Sequence, residues 1–502
     1  MAFGVRLKAG KPQNMELNGR SLSPEILASV SKDGTTLSFS PNGRNMLDRS
    51  RAIIDKAIAD AVPIYGVTTG LGSRATEALN ADALSGFSVE TLNGRAHALP
   101  PALPRSVVRA AMAVRLNTFL IGAAGVSPAV AEHLRLVFNA GLTPVVGRWG
   151  TIGAADLLLG ATMGRAVMGL GGHLADQDGA ERPAADALAE GGLTPPALGP
   201  RDGLALANHA CFSAALAGLA VAEARRALQN QTSVAALSFF AFGGNVTPLD
   251  PSVLKLKPHS HDARVAARFL TLLEGSPLAD PANARRLQDP ISIRNAVQVL
   301  GSAERSLAEA ADVTTTELNA ASDNPAVLVD EGRVVSTGNY HTPHLTLACD
   351  YAGRGLAATA TLSTARFARL CTERLTGLPQ YLADPEVGTN GFAPLLKLAE
   401  SLLGGIQHLT QPTAVWPSIN ADGVEDGLTL ALLSASNFME AASLSRRITA
   451  LEALVAAQAC DLRGAKLPHR LSDLHEAIRA VSPRIRESRP LADDIERVAE
   501  AI

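Results

Sequence analysis

The stretch Gly427–Cys460 (GLTLALLSASNFMEAASLSRRITALEALVAAQAC) narrows most what this chain can fold into. Its Ala and Leu recur at helical spacing, and it holds no proline and no glycine after its first residue. A helix of that length cannot bury its apolar face alone and lies beside others in a bundle. Periodic segments at about 104–122, 204–228, 263–273, 295–320 and 345–375 supply the partners. In the first of these, Pro104 stands near the start and Gly122 after the end, as helix termini favour. Aromatic residues are only 4% of the chain, which argues against an all-β core, because strands favour aromatic and β-branched side chains. The fold class expected is all-α.

At 502 residues the chain is long enough for a large core or two to three domains. Residues 173–203 are rich in Gly, Pro and acids and read as an exposed connection. That divides an N-terminal domain, 1–203, from a helical bundle, 204–502. A short strand pair is expected around Ala326–Val335, where AVLVD and RVV flank a Glu-Gly turn. A net charge of −3 with scattered basic residues excludes the footprint of a nucleic-acid binder. Two uncharged stretches, Leu204–Ala222 and Gln229–Leu249, approach the roughly 20 residues of a spanning helix. The first carries Asn208 and His209 and the second carries Asn245 and Pro248, so both read as buried bundle helices and no membrane is expected. Cys211, Cys349, Cys371 and Cys460 form no CxxC pair and read as buried free thiols of a reducing compartment. The N-terminus shows no apolar signal region, and the expected location is cytoplasmic.

Several polar loops are too rich in Gly, Asn and charge to be mere connections. They are YGVTTGLG at 65–72, GTIGAAD at 150–156, QDPISIR at 288–294, SDNP at 322–325 and GNYH at 338–341. Each alone is an ordinary turn sequence. Their order, together with VRAAMAVRLN at 108–117, DGLALANHA at 202–210, KPHSHDARVAARFLTLLEGS at 257–276 and VEDGLTL at 424–430, resembles the histidine, phenylalanine and tyrosine ammonia-lyase family. The resemblance covers about Leu47 to Ser443. It implies a fumarase/aspartase-like architecture, in which a long central helical bundle is joined to an N-terminal domain carrying active-site loops. It also implies a homotetramer whose active sites combine loops from three subunits, acting on a small molecule.

Members of that family remove ammonia from an α-amino acid with an electrophile, the methylidene-imidazolone (MIO), made from an Ala-Ser-Gly tripeptide of the chain itself. Here the segment reads Gly150-Thr-Ile-Gly-Ala154-Ala155-Asp156-Leu157, with one residue, Ala155, where the family has Ser-Gly. Alanine has no hydroxyl to lose and no glycine remains to cyclise, so Ala154, Ala155 and Asp156 form a degenerate MIO site and no cofactor is expected. Ile291 stands where the family usually has a tyrosine that touches cofactor and substrate, and Tyr340 replaces its usual phenylalanine.

Other positions match. By resemblance, Tyr65 is the general base, although a phenol titrates near ~10 and needs help in that role. Arg294 grips the substrate carboxylate, a task suited to a planar bidentate donor. Asn208 hydrogen-bonds the carboxylate or electrophile, Glu425 and Gln288 line the pocket, and Gly72, in the loop of Tyr65, is a substrate-binding position. His97 takes the position that reads the substrate side chain, in a segment (VETLNGRAHALP) that otherwise matches loosely. His259-Ser260-His261 has no further ligands near it in sequence and is read as structural, with no metal expected.

Three functions are open at this point. The first is an MIO-independent lyase performing an elimination, addition or cyclisation on a carboxylate-bearing substrate that brings its own activation, such as a betaine. There Tyr65 is base or acid, Arg294 and Asn208 bind the anion, and Tyr340 is an added donor. The second is a non-catalytic binding or scaffold relative. The third is an ammonia lyase of an aromatic amino acid aided by another electrophile. Joint retention of Tyr65, Asn208, Arg294 and Glu425 favours the first, since a dead protein has no need of a costly polar pocket.

Overall fold

The computed structural model describes residues 13–70, 81–413 and 417–502. Four long helices dominate them: Cys211–Phe242, Ala296–Leu318, Pro343–Leu370 and Ala431–Arg463. The expected helices are present, with two informative differences. The helix expected over 204–228 is split: Asp202–Ala207 ends at Asn208, and a new helix runs from Cys211 through Phe242. His209 causes the interruption, because its carbonyl accepts from Asp156 N at 2.7 Å and is lost to the helix. The C-terminal long helix begins at Ala431 rather than Gly427, because Thr429 and Leu430 both donate to Ile152 O (2.9 and 3.0 Å). The stretch Asp202–Phe242 is apolar and long enough to cross a membrane, yet 94% of its most apolar window is buried within the fold.

The chain forms two compact units, both discontinuous: residues 1–222, 311–347 and 413–436, and residues 223–310, 348–412 and 437–502. The cuts after 222, 310, 347 and 436 fall inside the four long helices, so the units do not follow a single boundary at 203.

All the described strands belong to the first unit. Gln13–Leu17 pairs parallel with Thr35–Phe39, and Leu99–Ala102 pairs antiparallel with Gly147–Trp149. The expected pair is Ala326–Leu328 with Arg333–Val335, and Pro417–Asn420 pairs with Glu425–Gly427. Residues 173–203 are more than a connection. His173–Ala175 and Glu181–Pro183 extend a sheet begun by Thr143–Pro144, and Arg201 and Asp202 are buried. The buried helix Arg105–Phe119 carries polar residues that each hold another segment. Asn117 accepts from Gly19 N (3.0 Å), and Arg115 forms a two-pronged pair with Asp323 (2.7 and 3.2 Å).

In the second unit the described residues are helical or irregular. Ala360, Ile406, Ala441 and Ile448 form an apolar cluster. Beside such packing lies a buried pair, Arg366 and Glu452, joined at 2.6 and 2.9 Å and further satisfied by Ser238 Oγ at 2.7 Å. A buried ion pair survives only when its remaining lone pairs are taken up, and here they are. All four cysteines are free and buried, and burial pushes their thiols up to about 12.

Candidate active site

Three loops of the first unit are tied into one knot around Gly153. Its φ of +79° is a left-handed conformation, and a Cβ there would stand 1.9 Å from Thr429 Oγ1, so only glycine fits. Gly153 O accepts from Thr429 Oγ1 (3.1 Å) and from Thr342 Oγ1 (3.3 Å). Ala155 N donates to Tyr340 O at 2.9 Å, and Ala154 bridges His341. The 150–156 segment is thereby held to both the Tyr340 loop and the strand end that carries Glu425.

Ala155 is itself left-handed, at φ +60°, with 3% of its surface exposed. That conformation costs an L-residue about 1–2 kcal/mol, and the hydrogen bonds around it enforce it. Next to it, Asp156 is fully buried: Oδ2 accepts from Ser213 N (2.8 Å), while Oδ1 lies 2.7 Å from Ser213 Oγ and 2.9 Å from Thr151 Oγ1. Burial pushes this carboxyl up, against the opposing pull of the Ser213 and Thr151 hydrogen bonds.

Asn208 caps the short helix before the break, and its Nδ2 donates to Asn324 O (2.9 Å). The neighbouring His209 ring is neutral, its pKa far down through burial and the nearby Arg115. Its Nε2 faces Leu206 O (3.1 Å) and its Nδ1 accepts from Cys211 N (3.2 Å), which fixes the proton on Nε2. The SDNP motif is the hub of this region. Ser322 Oγ accepts from Ala210 N (3.0 Å), Asp323 takes Arg115, and Asp323 O accepts from Thr337 Oγ1 (2.7 Å) at the root of the Tyr340 loop. Burial alone lowers the Arg115 pKa, but Asp323 outweighs it and leaves the guanidinium firmly charged.

Tyr65 is half-buried on a turn fastened by Val67 N and Thr68 N to Ile64 O (3.1 and 3.0 Å). Ile64 and Val67 are buried against Ile54 and Val327. Tyr65, Tyr340 and Glu425 share one electrostatic environment: burial, then Glu425, then Tyr65 raise the Tyr340 pKa, so this phenol keeps its proton. Arg95 joins them, a residue that sequence reasoning missed. Burial lowers its pKa, and Tyr65, Glu90 and Glu425 oppose the shift. Its only signal in the sequence is a cation placed two residues before His97. His97 is exposed. Gly72 lies outside the described residues.

Gln288 and Arg294 belong to the second unit. Gln288 is exposed, and Arg294 ends the single turn Ile291–Arg294, whose Ser292 O accepts from the buried Arg366 (3.3 Å). Burial raises the nearby Asp289 carboxyl, with Asn245 N–H, Arg286 and Arg294 opposing. Ile291 is 63% exposed. Of the HSH run, His259 precedes and Ser260 opens the helix Ser260–Leu272, and the His261 ring is taken by Arg264 at 2.5 Å.

This helical fold, with its knot of loops, defines a lyase class. The model of the aromatic amino acid lyase family matches residues 22–483, and the chain belongs to that family. It is 31% identical to a histidine ammonia-lyase from Treponema denticola over 98% of this chain and 97% of the relative. Among solved structures, the histidine ammonia-lyase from Trypanosoma cruzi superposes with a TM-score of 0.90 at 28% identity, covering 97% of this chain and 93% of that one. The ergothioneine-degrading enzyme ergothionase from Treponema denticola, in complex with desmethyl-ergothioneine sulfonic acid, does so with a TM-score of 0.90 at 26% identity, covering 97% and 98%.

Proposed function

We propose that this chain is an MIO-independent lyase that eliminates an activated leaving group from a small carboxylate-bearing, amino-acid-derived substrate, with a betaine as the substrate class. The observation that carries the reading is the segment Ala154-Ala155-Asp156. To close an imidazolone here, Asp156 N would have to attack the Ala154 carbonyl, but that N–H is bound to His209 O at 2.7 Å and its side chain is locked by Ser213 and Thr151. Ala155 offers a methyl group where a methylidene requires a leaving hydroxyl. These residues do not fit the prosthetic group.

A quaternary ammonium removes the need for an electrophile, because the amine departs neutral. In this reading Tyr65 takes the proton from the carbon next to the C–N bond. That electron pair becomes the C=C bond, and the C–N pair leaves on nitrogen as trimethylamine. Asn208 binds the carboxylate, Tyr340 donates as a phenol that keeps its proton, and Glu425 lines the pocket, while Arg294 and Gln288 keep the carboxylate-gripping and pocket-lining roles that the family resemblance gives them in an assembly of several subunits. The likeness to ergothionase, an ergothioneine-degrading enzyme, supports a substrate of the histidine-betaine class. The active assembly in this reading is the family's homotetramer, in the cytoplasm.

The test is a mass-spectrometric screen of the purified protein against aromatic amino acids and their betaines. Trimethylamine release from a betaine, with the parent amino acid untouched, is the expected result. Ammonia release from the amino acid at a comparable rate contradicts it.

A further inference from the structure

The second unit holds a cavity of about 470 Å³, a size within the range of small-molecule sites. Its walls come from the segment 257–262, from Gln298, Gly301 and Arg305 on the helix Ala296–Leu318, and from Tyr351 on the helix Pro343–Leu370. All of these residues lie in that one unit, and none is among the site residues read from the sequence.

Two acceptors of the wall are unmet. The first is Asp262, in the first turn of the helix Ser260–Leu272, which is only 7% exposed and makes no hydrogen bond or ion pair with a described residue. An acid in a first turn suits the positive end of the helix dipole, but ordinarily it sits in water and needs no partner. Here it packs against Gly301, where a Cβ would collide with Asp262 Oδ1 and stand 2.8 Å from its Cα. The glycine is what admits the acid. The second acceptor is Gln298 Oε1, buried without a hydrogen bond. Lys257 and Arg305 line the same cavity, both exposed, and neither forms an ion pair with a described residue. Asp323, by contrast, is closed on by Arg115 at 2.7 and 3.2 Å. A buried carboxylate without a cation, beside a buried amide oxygen without a donor, is costly unless a ligand supplies both.

We infer that this cavity binds a small zwitterion, whose protonated amine donates to Asp262 and Gln298 Oε1 and whose anionic end faces Lys257 and Arg305. The start of Ser260–Leu272, where His259 makes no side-chain cap, adds backbone N–H donors for the anionic end. An anion alone would leave Asp262 unpaired, and a simple amine would leave the two cations unmet. A metal ion is a poorer occupant, since no three His, Cys, Asp or Glu side chains gather to hold one among the described residues. The proposed lyase chemistry uses none of the residues of this cavity, so the zwitterion site stands or falls separately from it.

The test is calorimetric titration of the full-length protein with 4-aminobutyrate and 6-aminohexanoate, each compared with its one-ended counterparts: butyrate and butylamine, hexanoate and hexylamine. At least one of the two zwitterions binds ~10-fold tighter than both of its counterparts, the scale of one charge-assisted pair. Asp262→Asn and Arg305→Gln each remove that preference. If Asp262→Asn does not fold, Arg305→Gln and Lys257→Gln, at exposed positions, carry the comparison. No preference for either zwitterion in wild type, or a preference that survives these substitutions, overturns the inference. A preference lost in Asn208→Ala but kept in Asp262→Asn places the ligand at the other site and overturns it as well.

Discussion

Two neighbouring regions of the first unit are built in opposite ways. In the 150–156 segment the backbone is spoken for: Ile152 O, Gly153 O, Ala155 N and Asp156 N are all bonded to other loops, and the Asp156 carboxylate is bonded on both oxygens. Around it, Arg95, Tyr340 and Glu425 hold polar ends that no described residue meets. In the reading proposed above, the segment from which the resembled family makes its electrophile serves here as a scaffold, and side chains act on the ligand. A satisfied network rigidifies, whereas unmet donors and acceptors in a half-buried setting are where binding energy is available.

Breaking the scaffold has the largest expected effect. Arg115→Met strands the buried Asp323, from which the Tyr340 loop hangs, and destabilises the fold by about 3 kcal/mol or more. Denaturant unfolding measures this, and an unchanged midpoint means the pair is dispensable. The side-chain region is tested next. Tyr65→Phe lowers turnover at least ~100-fold while the oligomer, followed by light scattering, stays intact. Persisting turnover means the base lies elsewhere.

Smaller effects sharpen the contrast. Burial, and after it Glu425, raises the Tyr340 pKa, so this phenol remains a donor above the ordinary tyrosine range and loses its proton only at still higher pH. Glu425→Gln removes one raising cause, and ultraviolet titration in a Tyr65→Phe background then shows the tyrosinate at lower pH. No movement, or movement upward, separates Tyr340 from Glu425. Last, Ala155→Gly relieves a left-handed alanine at φ +60° at the expense of unfolded-chain entropy, a net gain of about 0.5–1 kcal/mol. A loss of stability there means that the methyl group packs.

The long helices were legible because 3.6-residue periodicity is local, and so was the hairpin around its Glu-Gly turn. The break at Asn208–Ala210 was not, since it depends on Asp156 N reaching His209 O from far along the chain. The short strands within 173–203 escaped for a similar reason: they exist by pairing with Thr143–Pro144, and their own composition reads as loop. Among site residues, those inside motifs were visible by resemblance. Arg95 was not, because its segment matches loosely and the strand pairing that brings it to the 150–156 loop is a long-range contact. That half of the site is set by tertiary structure.

The central claim is that this chain works without the family's electrophile, and intact-protein mass spectrometry tests it most directly. The account predicts the mass calculated from the unmodified sequence, with no loss of water and no near-ultraviolet MIO absorbance. A mass lower by two waters, localised by peptide mapping to residues 154–156, would contradict it.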